Sequence, residues 1–211
     1  MRPLHELLLL LVVLTDLWVL GTTRLSSAIR ATAIQGLLLA SLPLALYGWS
    51  GHIVGLGLGT LVVKSILLPA FLTRAIRDAA VRRDIEPLIG YTTSLLLGAA
   101  AVALAFTIAP SVPLPELESD LIVPVALSTV IIGLIVLTTR RKALTQVVGY
   151  LILENGIFVF GLSQVERVPN LVEVGVLLDV FVGVFIMGIV VFHINREFDS
   201  LDSARLTELR D

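Results

Sequence analysis

Two carboxylates stand inside stretches that are otherwise almost wholly apolar. Glu154 interrupts GYLILENGIFVF, and Asp179 interrupts VGVLLDVFVGVFIMGIVVF. Lys64 does the same in LGTLVVKSILLPAFL, and Asp16 in LLLLLVVLTDLWVL. A charge at the centre of a bilayer costs at least about 2.5–3.5 kcal/mol on insertion scales, so ionisable groups placed there mark pathways, relays or paired contacts. The chemistry open to acids and a lysine in a dry setting is the holding and release of protons. Two neighbouring carboxyls cannot both stay charged cheaply, so at least one is expected to carry a proton near neutral pH. The plainer alternative is a neutral acid that bonds a neighbouring helix and moves nothing.

The elements that position these groups are membrane helices. The chain has 211 residues, of which 56% are hydrophobic and 15% charged. Soluble domains are typically about 45–50% apolar and about 25% charged. A spanning helix needs roughly 20 mostly apolar residues. The sequence offers seven such segments, at 4–22, 29–48, 52–73, 88–109, 121–138, 143–163 and 171–194. The expected fold is an all-α, polytopic transmembrane helical bundle. The N-terminal segment reads as a retained helix, not a signal peptide. Its apolar run is long, Glu6 accompanies Arg2, and no small-residue cleavage site follows.

Basic residues set the expected orientation. Arg24, Arg30, Arg74, Arg77, Arg82, Arg83, Arg140, Arg141, Lys142, Arg196, Arg205 and Arg210 all fall on one side if seven helices cross. The other side keeps Arg2 and Arg167 with the acidic loop of Glu116, Glu118 and Asp120. The positive-inside rule then places the N-terminus outside and the C-terminus in the cytoplasm. Glu154 falls about eleven residues, roughly 16 Å, from the basic end of its helix. Asp179 falls about eight residues, roughly 12 Å, from the opposite end of the next. The two acids are thus expected at similar depth near the midplane. Lys64 lies about twelve residues into the third helix, roughly 18 Å deep, too central to snorkel easily. It either pairs with a carboxylate as a fixed contact or joins a relay.

Other polar residues suggest less. Asp16 either joins a relay or accepts bonds from Thr22, Thr23 or Arg24. His5 and Glu6 are expected in solvent at the outer mouth of the first helix. Glu173 suits the positive end of a helix dipole. His52 and His193 fall at membrane boundaries. Pro43 and Pro69 lie within helices, free backbone carbonyls and favour kinks. Aligning Gly36 with Gly149 suggests a weak repeat, with Ser41 opposite Glu154. It divides the chain into a three-helix unit (1–87), a linking helix with an acidic loop (88–120) and a second three-helix unit with a tail (121–211).

Several function classes are disfavoured. The chain has no cysteine, so thiolate-held iron–sulfur clusters and disulfides are excluded on it. A net charge of −2 gives no basic footprint for nucleic acid. Three dispersed histidines show no metal spacing. No nucleophile–base pair is visible.

GYLILENGIFVFGL, followed by LVEVGVLLDVFVGVFIMGIVVFHINREFDSLD, resembles the component E family of membrane subunits in group 4 nickel–iron hydrogenases. The similarity extends to RATAIQG and LPAFLTRAI. The second half is similar to the K-type small subunit of respiratory complex I and to the C-type subunit of multisubunit cation/proton antiporters. There Glu154 with Asn155 fits a buried-acid motif, and Asp179 through Gly183 fits a second, with Asp in place of Glu. The resemblance implies a subunit of the inner membrane of a prokaryote. It would pack among antiporter-like and other membrane subunits, beside a soluble hydrogenase-like arm. Its cofactors, a nickel–iron site and Fe–S clusters, would sit in partner subunits. Glu154, Asp179, Lys64 and Asp16 would then serve a proton or cation path. An architectural subunit and a stand-alone small transporter are the alternatives.

Overall fold

The computed structural model describes residues 2–78, 85, 88–112, 119–164, 175, 178, 181–185 and 188. Seven α-helices occur among them: α1 (Arg2–Gly21), α2 (Leu25–Tyr47), α3 (Gly51–Thr60), α4 (Leu68–Asp78), α5 (Tyr91–Ile108), α6 (Ile122–Thr139) and α7 (Ala143–Leu162). A π-helical stretch, Leu61–Leu67, joins α3 to α4 without a break. They make an all-α bundle with six helices long and apolar enough to cross a membrane. These are Leu4–Gly21, Leu25–Tyr47, Gly51–Arg77, Tyr91–Ser111, Ile122–Thr139 and Ala143–Leu162. The expected span 171–194 falls mostly outside the described residues.

Two of these helices extend further than their apolar runs suggest. α2 begins at Leu25, so Arg30 lies on the helix and not in a connecting loop. The third span runs on to Arg77, so Arg74 is helical too. Long arginine stems can cover apolar surface while their heads reach water. A helix therefore continues past the point where an apolar count stops.

The bundle is built from two tight hairpins. Short linkers, 22–24 and 140–142, force α1 against α2 and α6 against α7. Between α6 and α7 the backbones approach at Gly133, Gly149 and Gly156, where an added Cβ would lie 2.4–2.7 Å from Leu153, Leu137 and Val130. Small residues of this kind let membrane helices pack closely. The hairpins then meet, with α1 touching α6 and α2 touching α7. Leu39, Leu9, Val159 and Leu162 fill the seam towards one end. Leu20, Leu25, Ile132 and Val148 fill it towards the other. α5 lies at the rim and turns only Ser94, Gly98, Ala101 and Ala105 inward.

At the end holding the 22–24 and 140–142 linkers, the backbone ties the hairpins together. Ile85 N–H donates to Thr23 O, and Leu88 N–H donates to Thr139 O. Arg140 is 1% exposed. Its Nη2 donates to Leu20 O at 3.0 Å, and its guanidinium lies 5.5 Å from the Tyr91 ring. Burial holds this guanidinium below the usual arginine value, with Tyr91 opposing that shift. A cation at the C-terminal end of α1 is favoured by the helix dipole.

Candidate functional site

Lys64 occupies the middle of the third span, thirteen residues from either end of Gly51–Arg77. It lies within the π-helical stretch. Pro69, just beyond, has no N–H to give the carbonyl of Ser65 four residues back. The stretch ends with Leu68 N–H bonded five residues back to Val63 O. Such π-turns recur at functional sites. α2 receives Lys64 at Gly36, where a Cβ would lie only 2.7 Å from the Lys64 backbone carbon. Only glycine leaves that space. Ser65 Oγ donates to Ala33 O at 3.0 Å and fixes the same contact.

Lys64 Nζ meets the carboxylate of Glu154 on α7 in a buried ion pair. The two residues are 4% and 1% exposed. One turn further along α7, the Phe158 ring lies 5.3 Å from Nζ, where its π face favours a cation. The backbone at Gly175 also approaches this acid, since a Cβ there would be 3.6 Å from Glu154 Oε1. The acid that meets Lys64 is thus one of its own chain.

A second polar cluster begins at the neighbouring residue. Asn155 Nδ2 donates to Gln35 Oε1 at 2.9 Å. Gln35 Nε2 donates to Asp16 Oδ1 at 2.6 Å. Thr129 Oγ1 donates to Asp16 Oδ2 at 2.7 Å. Asp16 is 0% exposed, and no basic side chain pairs with it among the described residues. Four helices, α1, α2, α6 and α7, thus meet through one continuous line of side chains.

This corrects two expectations. Asp16 does not accept from Thr22, Thr23 or Arg24; its partners come from other helices. The helix turns its carboxyl inward, where Gln35 and Thr129 satisfy both oxygens. His5 is buried, at 5% exposure, and not in solvent. The same face of α1 carries Leu9, Val12 and Asp16 inward, which draws His5 in with them. Glu6 and His52 are exposed. Asp179, Glu173 and His193 lie outside the described residues. Ser41 donates to Leu38 O on its own helix. Gly36 and Gly149, matched in the suggested repeat, pack against different neighbours, Lys64 and Leu137.

Sequence reasoning missed Gln35 and Thr129. Gln35 carried a signal: it is an amide in an otherwise apolar stretch, and an amide in lipid needs a partner. Thr129 carried none, because a threonine can satisfy itself on its own helix. Among the described residues no group of three or more His, Asp or Glu could hold a metal ion.

The fold and its interior define a polytopic membrane protein with charged groups paired at the middle of its spans. Comparison with known proteins narrows the class. The uncharacterized protein Rv0085 of Mycobacterium tuberculosis is 34% identical over 206 residues, covering 94% of this chain and 92% of that protein. The chain belongs to the same family as Rv0085. Hydrogenase-4 component E of Escherichia coli K12 is more distant, at 28% identity over 203 residues, covering 95% of this chain and 94% of its own. The Shigella flexneri component E matches to the same extent. This full-length similarity supports a relationship to that group of membrane subunits. No family model matches the chain, and no solved structure does.

Proposed function

We propose that this chain is a membrane-arm subunit of a complex I-like, ion-translocating assembly related to hydrogenase-4. In this reading Lys64 and Glu154 form a charged station on a path for H+ or Na+. The observation that carries it is the buried Lys64–Glu154 pair at the middle of two spans. A buried pair adds little stability, because well-packed apolar residues in its place are often neutral or better. Ionisable groups kept at such depth point instead to transport.

The chemistry follows from the pairing. A proton reaching Glu154 converts its carboxylate to a neutral acid. Lys64 then loses the charge that held it, and its ammonium favours an anionic acid elsewhere. Asp179, four residues after Gly175 in sequence, is the proposed next acid. Asp16, whose two oxygens are held by the neutral donors Gln35 and Thr129, takes no part in that exchange. Gln35 and Asn155 do not ionise near neutral pH, so their role is to hold Asp16 and α7 in place.

The wider setting is part of the same proposal. The N-terminus faces outward and the C-terminus the cytoplasm, and the basic ends of the spans face inward. Residues 1–87 and 121–211 act as two units joined by the linking helix α5. Antiporter-like subunits flank the chain in a prokaryotic inner membrane. Any redox centres, including a nickel–iron site and Fe–S clusters, belong to the soluble arm, and no reaction is catalysed by this chain alone.

The test is ion pumping by the intact complex in sealed vesicles, comparing wild type with Glu154→Gln and Asp179→Asn. The proposal expects assembly and soluble-arm turnover to persist while pumping collapses. Normal pumping by both variants would make the subunit architectural. Purification of the chain as a self-sufficient transporter, without partners, would also overturn it.

A further inference from the structure

Hydroxyls inside this bundle mostly satisfy themselves. Thr15, Thr32, Ser41 and Ser128 each donate to a carbonyl three or four residues back on their own helix. Among the described residues three buried hydroxyls have no hydrogen-bond partner, those of Thr60, Ser94 and Thr145. Ser94 and Thr145 lie in the first turn of α5 and α7, where the chain is only entering the helix. Thr60 is the last of the ten residues of α3 and has helix behind it. It is 1% exposed. A buried polar atom without a partner is destabilising, and valine would fill the same space without that cost. A hydroxyl kept there fits a second state that uses it.

Its place beside the ion pair says what would use it. Thr60 and Lys64 stand four residues apart on one face of the third span, both turned inward. Side chains on a helix lean toward its N-terminus, so that of Lys64 lies over the turn that carries Thr60. The ammonium shows this lean, since it lies 5.3 Å from the ring of Phe158, one turn beyond Glu154. α2 runs against the third span, with Gly36 on Lys64 and Ala40 on Gly57. It ends beside the end of α7, where Tyr47 Oη donates to Leu162 O. Phe158 and Thr60 therefore lie on the same side of the pair. An ammonium has three N–H donors and no acceptor. A carboxylate holds it by charge, and a protonated Glu154 no longer does. A hydroxyl oxygen one turn away then becomes a favourable acceptor, because hydrogen bonds to an ionised donor are stronger than neutral ones.

We propose that Thr60 is a positioning residue for Lys64: its Oγ accepts from the Lys64 ammonium, directly or through one water, in the state where Glu154 carries a proton. This rests on the proposed ion path and deepens it, by naming what holds Lys64 while the pair is open.

The test uses Glu154→Gln, which keeps the shape of the protonated acid and removes the charge. Thr60→Val and Thr60→Ser are made in wild type and in Glu154→Gln, and the full chain is purified in detergent with whatever subunits accompany it. Thr60→Val should not lower the melting temperature of wild type, where the hydroxyl has no partner. In Glu154→Gln it should lower melting by about 3 °C or more, and Thr60→Ser should not. An equal effect of Thr60→Val in both backgrounds would make Thr60 structural and overturn the proposal.

A second measurement needs only single variants. In the intact complex during turnover, the infrared band of a protonated carboxyl should be lost in Glu154→Gln. It should be severalfold weaker in Thr60→Val than in wild type and return in Thr60→Ser. A band that depends on Glu154 and is unchanged in Thr60→Val would overturn the role of Thr60 and leave the path standing. A band that survives Glu154→Gln would overturn the path, and this inference with it.

Discussion

Among the described residues two carboxyls are buried, a few side chains apart, and they are satisfied in opposite ways. Asp16 is surrounded by neutral donors, an amide from α2 and a hydroxyl from α6. Glu154 is matched by a full charge from Lys64. The first arrangement is a locked joint: each oxygen has a donor, and the Gln35 amide is itself held by Asn155. The second is a balance of charge, which a single arriving proton upsets. The contrast is between a carboxyl held by neutral donors from two helices and one held by an opposite charge.

The largest expected effect comes from breaking the charge balance on one side only. Lys64→Leu leaves Glu154 buried without its partner and should cost about 3–5 kcal/mol. Unfolding in mixed detergent micelles would measure it. The double variant Lys64→Leu/Glu154→Leu removes both charges and should recover most of that loss. A double variant as unstable as the single one would show that the pair itself holds the bundle together.

Next comes the contact that places Lys64. Gly36→Ala drives a Cβ against the Lys64 backbone, at 2.7 Å from its carbonyl carbon. Overpacking of this kind costs about 1–3 kcal/mol. Because the clash falls on backbone, it should also displace Lys64 from Glu154. Pumping by the complex should fall further than the loss of stability explains.

In the neutral joint the cost should follow the number of groups left without a partner. Gln35→Leu leaves Asp16 Oδ1 and Asn155 Nδ2 without partners and should cost about 1–3 kcal/mol per orphaned group. Asp16→Asn keeps the shape and one acceptor, while Thr129 turns its hydroxyl to accept. Its cost should be about 1 kcal/mol, the net worth of one hydrogen bond. Both can be read as melting shifts. A cost for Asp16→Asn as large as that of Lys64→Leu would erase the distinction between the two sites.

The sequence made some of this legible and left the rest hidden for physical reasons. Spans could be read because lipid imposes length and apolarity on a helix, and all six described spans fall within a few residues of expectation. Arg30 and Arg74 misled at the ends, since a charged head on a long stem does not end a helix. Glu154 and Lys64 stood out because a charge in an apolar run is conspicuous. Their pairing did not, because depth gives only one coordinate and the rotation of Lys64 is set by the π-helical stretch beside Pro69. Asp16 was conspicuous too, yet its partners were sought in the linker just beyond its own helix. They lie on α2 and α6, 19 and 113 residues away, which no local pattern encodes.

The central claim is that Glu154 changes its protonation during turnover while Asp16 does not. Infrared difference spectroscopy of the reconstituted complex, triggered by its redox substrate, reads this directly. A protonated-carboxyl band should appear in wild type, persist in Asp16→Asn and vanish in Glu154→Gln. A band that survives Glu154→Gln, or that disappears only with Asp16→Asn, would contradict the account.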